Sequence, residues 1–161
     1  VVSFENKKQK TIELIKTRVQ TPTFQENLVQ KHQTLAPEKS IRFTALRENN
    51  WILGDAFHLD NALNNLLDNA VKYGGDTIEV TLNSRNGSYR ILVSDSGTSL
   101  SKAEAKQIFE KFYRVPKGNT HDVKGFGIGL YYTQKIIEKH GGSIDVSVTS
   151  QTTFKIDLPN A

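Results

Sequence analysis

One helix-forming run, Ala56–Tyr73, constrains this chain more than any other stretch. Its apolar residues Leu59, Ala62, Leu63, Leu66, Leu67, Ala70 and Val71 recur at three- and four-residue intervals and mark one buried face. The opposite stripe carries Asn61, Asn65 and Asn69, each four residues after the last, and then Lys72. Asparagine is a poor residue inside a helix, because its amide competes for backbone hydrogen bonds. Three of them in register, ending in a lysine, need a reason. A solvated polar face is one. The other is a row of neutral oxygen donors beside a cation, which suits a magnesium ion shared with phosphate groups. The helix alone leaves both open.

Two alternating segments follow. Residues 77–85 put Ile78, Val80 and Leu82 on one face; residues 88–94 do the same with Tyr89, Ile91 and Val93. Asn86-Gly87 between them is a strong hairpin signal. The second segment runs directly into Asp95-Ser96-Gly97. A carboxylate at a strand end, beside a glycine that admits a flat ligand, can accept a hydrogen bond from an exocyclic amine. The same residues also make an ordinary turn.

Further on, Ile108-Phe109-Glu110-Lys111-Phe112-Tyr113-Arg114 gathers three aromatic residues and two cations adjacent to a polar connector, residues 118–124. Gly125-Phe126-Gly127-Ile128-Gly129-Leu130 comes next and opens a helical pattern that stops at Lys139-His140-Gly141-Gly142. Glycines at a helix start offer N–H groups to an anion, where the helix dipole favours negative charge. They follow a polar connector rather than a strand, which weighs against a dinucleotide fold, and no P-loop pattern occurs.

Taken in order, the four stretches resemble the ATP-binding catalytic domain of bacterial sensor histidine kinases, within the wider group of gyrase, the large heat-shock chaperone ATPases and MutL. Asn65-Leu-Leu-Asp-Asn69-Ala-Val-Lys72-Tyr73 resembles the family's asparagine box, and Asp95-Ser-Gly97 its first glycine box. Phe109-Glu-Lys-Phe112-Tyr-Arg114 resembles the phenylalanine box, and Gly125-Phe-Gly127-Ile-Gly129-Leu130 the second glycine box. The likeness runs from about residue 11 to 159.

That resemblance implies a Bergerat-type fold, an α+β two-layer sandwich with a mixed, mostly antiparallel sheet of about five strands packed on three helices. It implies ATP and Mg2+ as ligands. Asn69 would ligate magnesium with Asn65 beside it; Lys72 would pair with a phosphate; Tyr73 and Phe109 would belong to the nucleotide pocket. Asp95 would take the adenine amine, with Gly97 leaving room for the ring. Arg114 would sit near the terminal phosphate and, with Asn65, serve catalysis. Gly125, Gly127, Ile128, Gly129 and Leu130 would close over the phosphate chain, with residues 118–124 as a mobile lid.

The implied partners are the parent protein's own dimerisation domain, upstream and carrying the acceptor histidine, and a response-regulator receiver domain further along the pathway. Residues 1–10 read as the tail of an upstream dimerisation helix or a linker, and residues 11–161 as the catalytic domain. The parent would be a membrane-bound homodimer with this domain in its cytoplasmic portion. Hydrolysing relatives carry a glutamate one turn before the magnesium asparagine; here that position is Asn65, which favours transfer over hydrolysis. Ser99 departs from the pattern, replacing a second glycine of the first glycine box, and keeps open a nucleotide-binding module without transfer activity.

Composition adds bounds. A chain of 161 residues makes one domain with a real core. The absence of cysteine excludes disulfides and cysteine-based zinc sites. No apolar run approaches membrane-spanning length. The net charge of +4 is scattered apart from Lys7, Lys8 and Lys10, and no nucleic-acid patch stands out. Strands are expected over residues 11–19, 41–47, 51–53, 144–148 and 154–158, with a helix over Thr23–Leu35. His32-Gln-Thr-Leu-Ala-Pro37 has the family's phosphoacceptor spacing, but Gln33, Leu35 and Ala36 lack the supporting chemistry. His140, at a helix C-terminus, stands where the dipole favours a cation, while His121 reads as an exposed lid residue.

Overall fold

The computed structural model describes residues 13–21, 23–45, 50–85, 88–97, 100–110 and 130–159. Its elements are β1 (Thr17–Thr21), α1 (Thr23–Leu35), β2 (Ser40–Ala45), β3 (Asn50–Gly54), α2 (Ala56–Tyr73), β4 (Thr77–Arg85), β5 (Ser88–Asp95), α3 (Lys102–Ala105), α4 (Leu130–Lys139), β6 (Ser143–Val148) and β7 (Thr152–Pro159). Five strands make one sheet in the order β2-β4-β5-β7-β6, and β1 pairs with β3 in a separate ribbon. The large sheet is antiparallel except for β2 against β4. A parallel pair requires a crossover, and α2 lies within this one.

The alternation that suggested the strands also builds the core. Across β4, β5 and β7, the register aligns Leu82, Ile91 and Ile156 in one row and Val80, Val93 and Phe154 in the next. All six are buried. Helix α2 covers them with Leu59, Ala62, Leu63, Leu66 and Leu67, α4 with Leu130, Ile136 and Ile137, and α1 with Leu28 and Val29. Each of the valine, leucine and isoleucine side chains contributes about 1.5–3 kcal/mol by leaving water. The row after these is Ile78, Asp95 and Thr152, so two polar residues occupy core-facing positions at the end of the sheet.

The expected strands and α2 are present, with several strand edges moved. Among the described residues, the strand expected over 11–19 is β1, Thr17–Thr21; before it, the N–H of Ile15 bonds the Asp55 carboxylate instead of a neighbouring strand. β2 covers Ser40–Ala45 rather than reaching residue 47. The short helix α3 was not legible in the hydrophobic pattern: it is four residues long and held by a capping box between Ser101 and Glu104.

Candidate functional site

The asparagine stripe of α2 is not a solvated face. Helix α4 packs along α2, leaving Asn61 and Asn65 half-buried and Asn69 buried. Asn65 Nδ2 donates to Thr133 Oγ1 of α4 at 3.3 Å. One turn later, Asn69 Nδ2 is buried with no partner among the described residues. Such an orphan costs about 1–3 kcal/mol and calls for a partner beyond the described contacts. Lys72 lies 3.5 Å from Asp68 in an exposed pair one turn apart, worth little and easily exchanged for an anion. Tyr73 packs half-buried against the core.

Asp95 closes strand β5 in a core-facing position, 4% exposed. Its Oδ1 accepts the Gly97 N–H at 2.8 Å. Burial is the largest influence and pushes its carboxyl above the ordinary value of 3.8, against the pull of the Gly97 and Gly75 N–H groups and the charge of Lys39. The chain around it is tightly drawn. A Cβ at Gly74 would stand 2.7 Å from Asp95 Cγ, and one at Gly97 only 2.7 Å from the Gly75 nitrogen and 2.9 Å from Asp95 Oδ1. Glycine at residue 97 is therefore required first by the chain's own packing. The Gly74 N–H bonds the Ala70 carbonyl, so the carboxyl rests against the same last turn of α2 that follows Asn69.

Sequence reasoning missed Gly74, Gly75, Lys39 and Thr133. The Gly-Gly pair right after the asparagine helix was a usable signal. Lys39 and Thr133 had none, because their contacts span distant parts of the chain: Lys39 Nζ donates to the Gly75 carbonyl at 3.1 Å across 36 positions, and Thr133 meets Asn65 across 68.

Two further expected site residues are among the described ones. Leu130 is fully buried at the start of α4. Phe109 sets its ring edge-on against Phe154, 6.2 Å between centroids, and borders a cavity of about 380 Å3 between α3, α4 and β6. Asn65, Asn69 and Asp95 do not line that cavity. Arg114, Gly125, Gly127, Ile128, Gly129, Ser99, His121 and residues 118–124 lie outside the described residues.

The histidines separate clearly. His32 is buried, its Nε2 2.8 Å from Asn64 Oδ1, which leaves it poorly placed to receive a phosphoryl group. His140 corrects the expectation of a cation at the helix end. It is 5% exposed, its Nε2 accepts the Asp55 N–H at 3.0 Å, and its Nδ1 therefore donates to the Ile136 carbonyl at 2.7 Å. Burial, the largest cause, pushes its pKa below the ordinary 6.5. Desolvation outweighs the dipole.

A two-layer α+β sandwich with an asparagine-lined helix against a sheet-end carboxyl defines a domain of the Bergerat class. The chain belongs to the histidine kinase-, DNA gyrase B-, and HSP90-like ATPase family, whose model matches residues 54–161. Sensor protein RprX of Bacteroides fragilis is 44% identical over 114 residues, covering 67% of this chain. The chain spans 22% of that curated relative's length. Among solved structures, the mycobacterial sensor histidine kinase MprB superposes with a TM-score of 0.77 at 22% identity, over 91% of this chain and 98% of that one. Full-length ShkA in complex with AMPPNP gives 0.76 at 23% identity, over 98% of this chain and 34% of that one.

Proposed function

We propose that this chain is the ATP-binding catalytic domain of a two-component sensor histidine kinase, which holds ATP with magnesium and passes the terminal phosphoryl group to a histidine on the parent's own dimerisation domain. The observation that carries the reading is the buried side chain of Asn69, whose Nδ2 has no partner among the described residues, on the turn of α2 that leads to Asp95. Family membership supplies the nucleotide, and the chemistry of these residues fits it. Asp95 suits the exocyclic amine of adenine, whereas guanine would present a carbonyl to the same carboxylate. Asn65 and Asn69 offer neutral amide oxygens, hard donors of the kind magnesium shares with phosphates. No group of three or more His, Asp or Glu able to hold a cation occurs among the described residues, so an ion here would depend on the nucleotide's own oxygens. Magnesium, when bound, offsets the negative charge of the phosphates.

The chain's own residues then bind and orient. Lys72 and Arg114 meet phosphate oxygens, and backbone amides around Gly125, Gly127 and Gly129 cover them, with Tyr73, Phe109, Ile128 and Leu130 supplying apolar support. Phosphoryl transfer asks for positioning and charge stabilisation more than covalent chemistry. The receiving imidazole is itself the nucleophile, so this chain needs no general base. Asn65 speaks against a hydrolase, because an amide cannot take a proton from water.

Residues 1–10 would continue an upstream dimerisation helix or linker, and the parent would be a membrane-bound homodimer that serves a response-regulator receiver domain from the cytoplasm. No helix among the described residues is long and apolar enough to cross a membrane. The test is label transfer from radioactive ATP. The chain alone should not label itself, His32 included, but should label the parent's dimerisation domain with magnesium present. Acid-labile label on His32, or brisk ATP hydrolysis with no transfer, would overturn the reading.

A further inference from the structure

Thr133 is the one fully buried hydroxyl in the apolar seam between α2 and α4 among the described residues, with none of its surface exposed. Its Oγ1 receives the Asn65 amide nitrogen at 3.3 Å, and α4, which carries it, begins directly after the glycine-rich stretch, at Leu130. Valine would fill the same space, so packing alone does not call for a hydroxyl there. Helical threonine hydroxyls commonly donate to the carbonyl four residues back, which leaves their lone pairs as acceptors. An acceptor at that point selects one of the two orientations of the Asn65 amide: nitrogen toward α4, oxygen away from it.

We infer that Thr133 is a positioning residue, which holds the Asn65 amide with its oxygen free for the cation–phosphate unit of a bound nucleotide. Without the hydroxyl the amide turns over as readily as not, and half of its orientations present N–H groups where a cation needs oxygen. The same bond ties the helix that follows the glycine-rich stretch to the asparagine helix. Anything that shifts α4 along α2 thus reaches the metal side of the site before it reaches Asp95. This inference rests on the nucleotide reading above.

The experiment is calorimetry of the 161-residue chain with ATP, in magnesium and again in excess EDTA. It uses the wild type, Thr133→Val, Thr133→Ser, Asn65→Ala and the double variant Asn65→Ala/Thr133→Val. Thr133→Val should lose about two- to tenfold in affinity in magnesium, the effect of one hydrogen bond, and nothing in EDTA. Thr133→Ser should restore the wild-type value. In the Asn65→Ala background, Thr133→Val should change nothing further, because the two act as a unit. Equal losses in magnesium and EDTA, equal losses for the valine and serine variants, or additive losses in the double variant would each overturn the inference while leaving the nucleotide reading intact. A wild type that binds no ATP in either condition would overturn both.

Discussion

The two ends of α2 bury polar groups of the same kinds and treat them oppositely. At the N-terminal end, Asp55 caps the helix: Oδ1 accepts the N–H groups of Phe57 and His58 at 3.1 and 3.3 Å, and Oδ2 accepts that of Ile15 at 2.9 Å. His140 uses both ring nitrogens, on the Asp55 N–H and the Ile136 carbonyl. The Ile15 N–H is the largest influence holding the Asp55 carboxyl below its ordinary value, with burial opposing and His58 and Phe57 assisting. At the C-terminal end, Asn69 Nδ2 has no partner among the described residues, and burial pushes the Asp95 carboxyl up rather than down. A buried carboxylate whose donors outweigh its desolvation stabilises a fold, and one whose desolvation outweighs its donors weakens it. The first end meets its polar groups from within the chain, and the second leaves the Asn69 nitrogen unmet among the described residues.

If that division is right, substitutions at the C-terminal end change binding without unfolding the domain, and those at the N-terminal end do the reverse. Asn69→Ala should have the largest effect, lowering phosphoryl transfer and magnesium-dependent ATP affinity on the order of a hundredfold or more, since even indirect partners of a metal site are worth 10–100-fold. Thermal melting of the ligand-free variant should match or exceed wild type, because an unpaired amide has been removed. Wild-type ATP affinity in magnesium would assign the metal side elsewhere.

Asp95→Asn comes next. Wild type should prefer adenine over guanine nucleotides by about a hundredfold or more, since a site built around a hydrogen bond rejects the wrong partner. The variant's side-chain amide can donate to the guanine carbonyl, so most of this preference should vanish in competition binding. Stability should move the other way. A carboxyl with its folded pKa raised stabilises fully below the unfolded value of 3.8 and loses that contribution as pH rises through the folded value. At neutral pH, ligand-free Asp95→Asn should therefore be at least as stable as wild type by denaturant titration, and a clear loss would show the carboxylate to be structural.

Asp55→Ala tests the opposite end. Losing a helix cap together with the tie to Ile15 should lower stability by about 2 kcal/mol in denaturant titration. The ratio of ATP affinities with and without magnesium should not change. Loss of that ratio at full stability would erase the contrast between the ends.

The smallest effect belongs to His140. Its folded pKa lies below the ordinary 6.5, so the unfolded chain binds the proton first. Stability should be complete above about pH 6.5 and decline as pH falls through the window between the two values. His140→Gln should flatten that decline in melting curves taken across the range, and an unchanged slope would assign it to another group.

Much of this is legible in the sequence. The apolar spacing of Ala56–Tyr73 gave the helix to the residue, and the alternation over residues 77–85 and 88–94 gave the strands, because burying one face demands those periods of any helix or strand. The asparagine stripe and the carboxylate at the strand end were visible for the same reason: each breaks a local rule at a definite phase. That Asp95 faces inward follows from its place in the alternation; that it is buried follows from the closure of Gly74, Gly75 and Gly97 around it. Periodicity alone could not say whether the asparagines meet water or α4, and the helix dipole alone misplaced His140 as a helix-end cation. Nor could it find Thr133 or Lys39, whose partners are remote in the chain. Residue types and their phase are local properties, and the sequence by itself determined them. Burial, and hence which polar groups are satisfied and which are left for a ligand, depends on what the rest of the chain brings alongside, and only the tertiary structure decided that.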